Sequence, residues 1–285
     1  MPLLAVPNVS EGRRLDVVSA LVDRIDANGG IVFDRHADAA HNRAVLTVGG
    51  DLLRSMGELA IAARDMIDLT RHDGVHPRLG ALDVCPIVPY REPAEAAREL
   101  AEQVGRVLGD AGIPVFLYGA AARRAETRHL PGLRRGGLAG IVQRIAGGLA
   151  PDFGPPEVDP RTGVTCVGAR GPLIAFNVWL EGDASVAAAI AARVRTSGGG
   201  PPGVRALGLA MGDRGHAQVS MNLTDPATTG IDRVFEAVEA LAEKEGVRIA
   251  ATEIVGLVEE RFLPKGKAAR LLMAPGRSVE SALQG

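Results

Sequence analysis

The sequence predicts an α+β protein built from two β-α-β-β-α-β units of the ferredoxin-like kind. Three observations carry that prediction. Short apolar runs bounded by Gly, Pro, Asn and Asp alternate with amphipathic stretches of helical period. The order strand-helix-strand-strand-helix-strand is met twice along 285 residues, a length that suggests about two domains. A stretch dense in Gly and Pro, Gly147 to Pro172, lies between the two passes. The expected division is residues 1–170 for the first unit and 171–285 for the second, which ends in a divergent tail.

The elements follow in order. Leu3 to Val9 reads as the first strand, and Ser10-Glu11-Gly12 opens a helix with Leu15, Val18, Leu21, Val22 and Ile25 at helical spacing. Asn28-Gly29-Gly30 stops that helix. Ile31 to Asp34 and Ala44 to Val48 are strands around a polar connection. Asp51 to Leu69 is a second helix, Ala81 to Val88 a strand, Pro93 to Ala111 a helix and Pro114 to Tyr118 a strand. Val164 to Val167, inside the Gly/Pro-rich stretch, has strand character. In the second half, Leu173 to Leu180 is a strand and Asp183 to Val194 an Ala-rich helix. Val204 to Met211 and Ala217 to Leu223 are strands joined through Gly212-Asp213-Arg214-Gly215. Thr229 to Lys244 is a helix with Ile231, Val234, Phe235, Val238 and Leu241 on its apolar face, and Val247 to Val258 is the last strand. Arg261 to Gly285 is a weakly patterned tail with a short helix expected at Ala268 to Met273.

Composition excludes several functions. Apolar residues make up 46% of the chain, enough for buried cores and against disorder. The 32 Lys+Arg against 34 Asp+Glu leave no basic excess for a nucleic-acid surface, and 3% aromatics supply no base-stacking platform. Cys85 and Cys166 are too few for a disulfide framework and too far apart for a local zinc knuckle, which suits a reducing compartment. The opening Met1-Pro2-Leu3-Leu4-Ala5-Val6-Pro7 has no basic region and no long apolar core, and no run of roughly 18 apolar residues marks a membrane span. The expectation is a cytoplasmic globular protein.

No P-loop occurs, and the prolines of Gly198-Gly199-Gly200-Pro201-Pro202-Gly203 remove the N–H donors that a phosphate cradle needs. Of six histidines, His72 and His76 lie four apart in Arg71-His72-Asp73-Gly74-Val75-His76-Pro77-Arg78. That spacing imitates a zinc motif, but a zinc pair needs both rings on one helix face. Gly74 and Pro77 disfavour the helix, so no metal is expected. An imidazole titrates near neutral pH and serves as acid and base in one cycle. Arg71 and Arg78 are suited to hold carboxylates. The turn thus reads either as an acid–base site for a small anion or as a polar surface turn. His41-Asn42-Arg43 has a similar pair of readings, an arginine clamp with an amide or plain hairpin chemistry.

Several blocks resemble one family. Val6-Pro7-Asn8-Val9-Ser10-Glu11-Gly12 is similar to the opening of glutamate formiminotransferases, and Asn42-Arg43 to the pair before their second hairpin strand. His76-Pro77-Arg78-Leu79-Gly80-Ala81-Leu82-Asp83-Val84-Cys85-Pro86 resembles the family hallmark. Leu117-Tyr118-Gly119, Pro151-Asp152-Phe153-Gly154-Pro155, Gly168-Ala169-Arg170 and Leu173-Ile174-Ala175-Phe176-Asn177 follow in family order. Ala217-Gln218-Val219-Ser220-Met221-Asn222-Leu223 and Val255-Gly256-Leu257-Val258 complete the set.

The resemblance implies two ferredoxin-like subdomains with a groove between them. It implies transfer of the formimino group of N-formimino-L-glutamate to N5 of tetrahydrofolate, which is a co-substrate. The products are glutamate and 5-formiminotetrahydrofolate, in histidine degradation. The resemblance puts the catalytic histidine at His76. It puts the folate segment at Gly154, Pro155, Pro156, Glu157, Val158, Asp159, Pro160, Arg161, Thr162 and Gly163. A homodimer is implied, with a separate cyclodeaminase acting on the product. Both substrates carry carboxylates, so Asn42, Arg43, Arg78 and Arg170 are candidate substrate contacts. The alternative is that these arginines pair with Asp83 or Asp152 and hold loops. Asp83 is a candidate to orient His76 or to cap a strand end. The chain has Ala120 and Gly137 where many members have acids, and His36 where members have another, with Asp38 nearby. These departures leave a different formimino or formyl donor, or a non-catalytic folate-binding homologue, as alternatives.

Overall fold

The computed structural model describes residues 3–211, 216–264 and 278–284. The turn expected at Gly212 to Gly215 and the helix expected at Ala268 to Met273 lie outside the described residues. The chain divides into two compact units, Met1–Arg170 and Gly171–Gly285, and each is described by itself.

Unit 1 opens with a broken strand. β1 (Leu3–Ala5) and β2 (Asn8–Val9) flank Val6-Pro7, where proline has no N–H for the ladder and instead accepts from Leu46 N at 3.0 Å. One continuous strand was expected there. α1 (Leu15–Asp26) starts later than Ser10 because neither Ser10 nor Glu11 is part of it. Ser10 Oγ donates to Gly80 O at 2.8 Å, while the Glu11 carboxylate accepts from Arg13 N and Arg14 N, both at 2.9 Å. Glu11 thereby orders the two residues just before α1, with its negative charge near the positive end of that helix. Val18, Leu21 and Ile25 are buried, as the period requires, and Leu15 is exposed.

β3 (Gly30–Asp38) and β4 (Arg43–Gly50) form a hairpin, followed by α2 (Leu52–Met66), whose cap Asp51 accepts from Arg54 N. β5 (Leu82–Pro89), α3 (Ala94–Asp110) and β6 (Val115–Gly119) follow. Two helices that the sequence reading did not contain come next, α4 (Leu130–Arg134) and α5 (Gly137–Ala146), and then β7 (Thr165–Ala169). The sheet runs β3-β4-β1/β2-β5-β7-β6, antiparallel up to β5 and parallel beyond it. The parallel end is covered on both faces, one core gathering Ile87 and Leu117 with α3, the other gathering Val84, Phe116 and Cys166 with Leu133 and Ile141. A parallel strand buried on both sides reads as a continuous apolar run, and β5 does so except at Asp83, which is fully buried.

Unit 2 is β8 (Ile174–Glu181), α6 (Ala184–Val194), β9 (Val204–Ala210), β10 (His216–Leu223), α7 (Ile231–Lys244) and β11 (Arg248–Val255). Its sheet order is β11-β8-β10-β9, all antiparallel. That is the split β-α-β arrangement expected from element order. Phe176, Val178, Val219 and Met221 pack with Ile190, Val234 and Val238 from the two helices in one core. A single-turn helix, α8 (Val279–Ala282), lies in the tail.

Candidate active site

Three connections of unit 1 converge around the start of β5. The turn between β3 and β4 carries His41 and Asn42, and Arg43 opens β4; all three are buried. Asn42 adopts φ 45°, a left-handed conformation that Asn tolerates better than most residues. Its amide is fully engaged, Oδ1 accepting from Gly12 N at 3.0 Å and Nδ2 donating to Asp73 O at 3.0 Å. Asn42 therefore ties this turn to the segment before α1 and to the loop before β5.

That loop is not helical. A 3-10 turn covers only Leu69–Arg71, and His72 is already extended, so His72 and His76 do not share a helix face. His72 Nε2 lies 2.9 Å from Asn42 O and His76 Nδ1 lies 2.8 Å from Pro77 O. A carbonyl oxygen only accepts, so these contacts assign the protons to His72 Nε2 and His76 Nδ1. The lone pair of His76 is then on Nε2. Arg78 holds the loop in shape, donating to His72 O, Gly74 O and His76 O.

Beneath the loop lies a buried charge cluster. Asp83 Oδ2 accepts from Arg43 Nη1 at 2.6 Å and from Arg134 Nη2, and Asp83 Oδ1 accepts from Leu79 N at 2.7 Å. Arg43 also donates to Asn8 Oδ1 through Nε and Nη2, at 3.2 and 2.8 Å. Asp83 makes no hydrogen bond to His76 and acts on it through charge alone. Desolvation pushes His76 well below the ordinary histidine pKa, Arg43 and Arg134 push it the same way, and Asp83 opposes them. Asp83 stays ionised because the two guanidiniums and the donors outweigh its burial. Cys85 and Cys166 are buried free thiols, and burial pushes both up to about 12, so neither is a ready nucleophile.

The segment from Gly154 to Gly163 is laid against this loop. Leu69 N donates to Arg161 O and Ala81 N to Thr162 O, both at 2.8 Å, and Val164 N donates to Leu79 O at 2.9 Å. Gly80 and Gly163 pair as an isolated bridge. Gly163 has φ +69°, and a Cβ there would stand 2.0 Å from Leu79 O, so only glycine allows this approach. Glu157, Asp159 and Arg161 are exposed.

The structure thus gathers His41, Asn42, Arg43, His72, His76, Arg78, Asp83 and the stretch 154–163. Arg170 follows β7, and its guanidinium donates to the Tyr118 hydroxyl oxygen. Asp152 is taken up by Leu117 N at 2.7 Å and Arg124 at 3.1 Å. Asn8 and Arg134 belong to the cluster and were not among the candidate contacts. Asn8 stood in a quoted motif. Arg134 pairs across 51 residues of chain, which no local pattern reveals. In unit 2 the quoted motifs form a polar face, with Asn177 Nδ2 and Gln218 Nε2 donating to Glu253 Oε1 at 2.8 and 3.2 Å.

Comparison with known proteins agrees along most of the chain. A family model described as the formiminotransferase domain, N-terminal subdomain, matches residues 3–170, and the formiminotransferase domain model matches residues 175–271. A glutamate formimidoyltransferase of Streptococcus pyogenes serotype M1 is 39% identical over 269 residues, 90% of this chain and 89% of that protein. One of Thermoplasma acidophilum is 36% identical over 273 residues, 90% of this chain and 88% of that protein. The formimidoyltransferase-cyclodeaminase of Sus scrofa is 37% identical over 274 residues, 90% of this chain but 50% of that longer protein.

Proposed function

The chain belongs to the formiminotransferase family, and from that premise we propose that it transfers the formimino group of N-formimino-L-glutamate to N5 of tetrahydrofolate. Two glutamate formimidoyltransferases at 36% and 39% identity, each matched over most of its length, support the activity. The observation that carries the mechanism is His76, with Nδ1–H on Pro77 O and a lone pair on Nε2 above the buried Arg43–Asp83–Arg134 cluster.

The transfer is an addition and elimination at an amidine-like carbon. The N5 electron pair bonds that carbon, and the N5 proton passes to His76 Nε2. The bond from the carbon to the glutamate nitrogen then breaks, its pair stays on nitrogen, and His76 returns the proton there. A base held below the ordinary histidine range is neutral at pH 7. Once protonated it faces two guanidiniums, which makes it a strong acid for the second step. Residues 154–163 are the proposed folate contact. Their anchoring beside the His76 loop and their exposed polar side chains fit that use. Arg170 is the proposed carboxylate contact outside the cluster, whereas Asn42, Arg43 and Arg78 serve by holding the loops. The reading includes a cytoplasmic homodimer, a separate cyclodeaminase for the product and no metal. Among the described residues no helix is long and apolar enough to cross a membrane.

The test mixes purified protein with tetrahydrofolate and N-formiminoglutamate and converts product with acid to the absorbing methenyl form. Signal that needs both substrates supports the reading. Folate binding without signal, repeated with other formimino and formyl donors, assigns a different donor or none. The acids absent at Ala120 and Gly137 make that arm worth running.

A further inference from the structure

His76 is not the only histidine at this site with an uncommitted nitrogen. The His41 ring centroid lies 5.7 Å from that of His76, with the planes tilted by 50°. His41 is 7% exposed, and its Nε2 is buried without a hydrogen-bond partner. A polar atom left so costs stability unless something uses it. Its Nδ1 is 4.0 Å from Asp38 Oδ2, and the other carboxylate oxygen of Asp38 accepts from His41 N at 2.7 Å. Asp38 thus favours the proton on Nδ1 and leaves the lone pair on Nε2, toward no protein partner.

We propose that His41 is a second proton-handling residue of this site, exchanging a proton with His76 through its Nε2 while Asp38 supports the charge. The proposal rests on the transferase reading. The ring separation is too long for a direct hydrogen bond between the two rings, so the exchange passes through one bridging water. The proton that leaves N5 rests first on His76 Nε2, moves to His41 Nε2, and returns by the same path to the glutamate nitrogen as that bond breaks. No proton, electron or co-reactant is left over. The step has a physical motive. On His76 the charge sits near Arg43 and Arg134, whereas on His41 it sits beside Asp38. His41 acts through His76 and is a positioning residue for the proton.

Other charged groups face the pair from each neighbouring segment. Arg13, before α1, donates to Ala39 O at 2.8 Å and lies 3.8 Å from Asp73. The loop before β5 contributes His72, Asp73 and Arg78, β5 contributes Asp83, and α4 contributes Arg134. Glu11 is bound to Arg14. Asp83 is held by its two arginines, Asp38 lies 4.0 Å from the His41 ring, and His36 on the same strand as Asp38 comes within 4.8 Å of that carboxylate.

The experiment uses the full chain, with His41→Asn and Asp38→Asn. Asn at 38 still offers an oxygen to His41 N, so the turn is kept. The expected result for His41→Asn is a kcat about tenfold lower, at the modest end of general acid–base effects, with KM for both substrates unchanged. The acid limb of kcat moves to higher pH, because His41 is one of the groups that hold His76 low. Asp38→Asn lowers kcat several-fold, and the double variant is no worse than His41→Asn. NMR titration without substrates shows the His76 midpoint rising when His41 is removed. Parent kcat and an unmoved His76 midpoint in His41→Asn overturn the proposal and leave His41 as packing. Should His41→Asn fail to fold, an unchanged kcat–pH profile in Asp38→Asn overturns it. A parent protein that transfers nothing refutes the transferase reading instead, and the rise of the His76 midpoint on removal of His41 then stands as the separate test of the pair.

Discussion

Charged side chains from the ends of two strands and a short helix make the candidate site of unit 1, whereas in unit 2 neutral amides stand on adjacent strands around a single acid. In unit 1, Arg43, Asp83 and Arg134 come from the start of β4, the start of β5 and α4, and their groups are mostly or wholly buried. In unit 2, Asn177 and Glu253 are direct cross-strand partners, and Gln218 sits two strands from Glu253. The two sheets share a β-α-β-β-α-β path, but unit 1 carries two further parallel strands and covers both faces of that end. The extra layer allows charge to be buried, and burial gives each charge leverage over an imidazole nearby. In unit 2 Asn177 and Gln218 are buried as well, but amides carry no charge and so have little such leverage.

The sharpest way to break the comparison is Asp83→Asn. It leaves two buried guanidiniums without a counter-charge, a change that costs about 3–5 kcal/mol. Urea unfolding followed separately in the two units is expected to show unit 1 losing stability and unit 2 unchanged. Equal loss in both would mean that the cluster is not local to unit 1. His76→Gln comes next. Turnover falls by about 10²–10⁴-fold, while unfolding midpoints hold, because no hydrogen bond beyond the one to Pro77 O depends on the ring. Near-parent turnover would remove His76 from the mechanism.

The third prediction concerns pH. His76 in the folded chain lies well below 6.5 because burial, Arg43 and Arg134 disfavour its charge. Between that lowered value and 6.5 the unfolded chain binds the extra proton, so stability rises with pH across this window. The contribution is complete above 6.5 and is lost as pH falls. Asp83, also lowered, has the same sign in a more acidic window below its ordinary value of 3.8. Acid therefore weakens unit 1 in two steps, and kcat/KM keeps its neutral-pH value into mildly acidic buffer. In Arg134→Gln the His76 midpoint rises and the acid limb moves to higher pH, which a pH–rate profile reads directly. An unmoved limb would take Arg134 out of the electrostatics of the site.

The elements with strong period were legible from the residues, since α1, α3 and α7 bury one face and β5 buries two. What stayed hidden was tertiary. α4 and α5 carry Pro131, Gly132, Gly136, Gly137 and Gly140, which weaken a helical pattern, and with α4 the partner Arg134 stayed out of view. Asn42 and Arg78 were visible as polar residues at a turn. Their use was not, because it depends on backbone groups of Gly12, Asp73, Gly74 and His76 that only the folded chain brings near. His76 was a candidate on two grounds, a dense polar turn and the family hallmark, but its tautomer came only from the Pro77 carbonyl.

The smallest expected effect belongs to unit 2 and tests whether its polar face is as mild as its neutrality implies. Glu253→Gln keeps an oxygen for Asn177 and Gln218 but removes its charge. Hydrogen bonds to a charged acceptor are about twice as strong as neutral ones, so two weakened bonds amount to about 1 kcal/mol. Urea unfolding of unit 2 should move by that amount while the His76 titration in unit 1 stays still. A much larger loss would mean that Glu253 is the centre of a network as demanding as the one around Asp83. The contrast between the units would then lie only in where the charge is placed, since a wholly buried acid and a half-buried one would be equally costly to neutralise. A loss near the predicted size keeps the contrast physical: unit 1 places charge where solvent cannot weaken it, and unit 2 places amides where one acid is enough to order them.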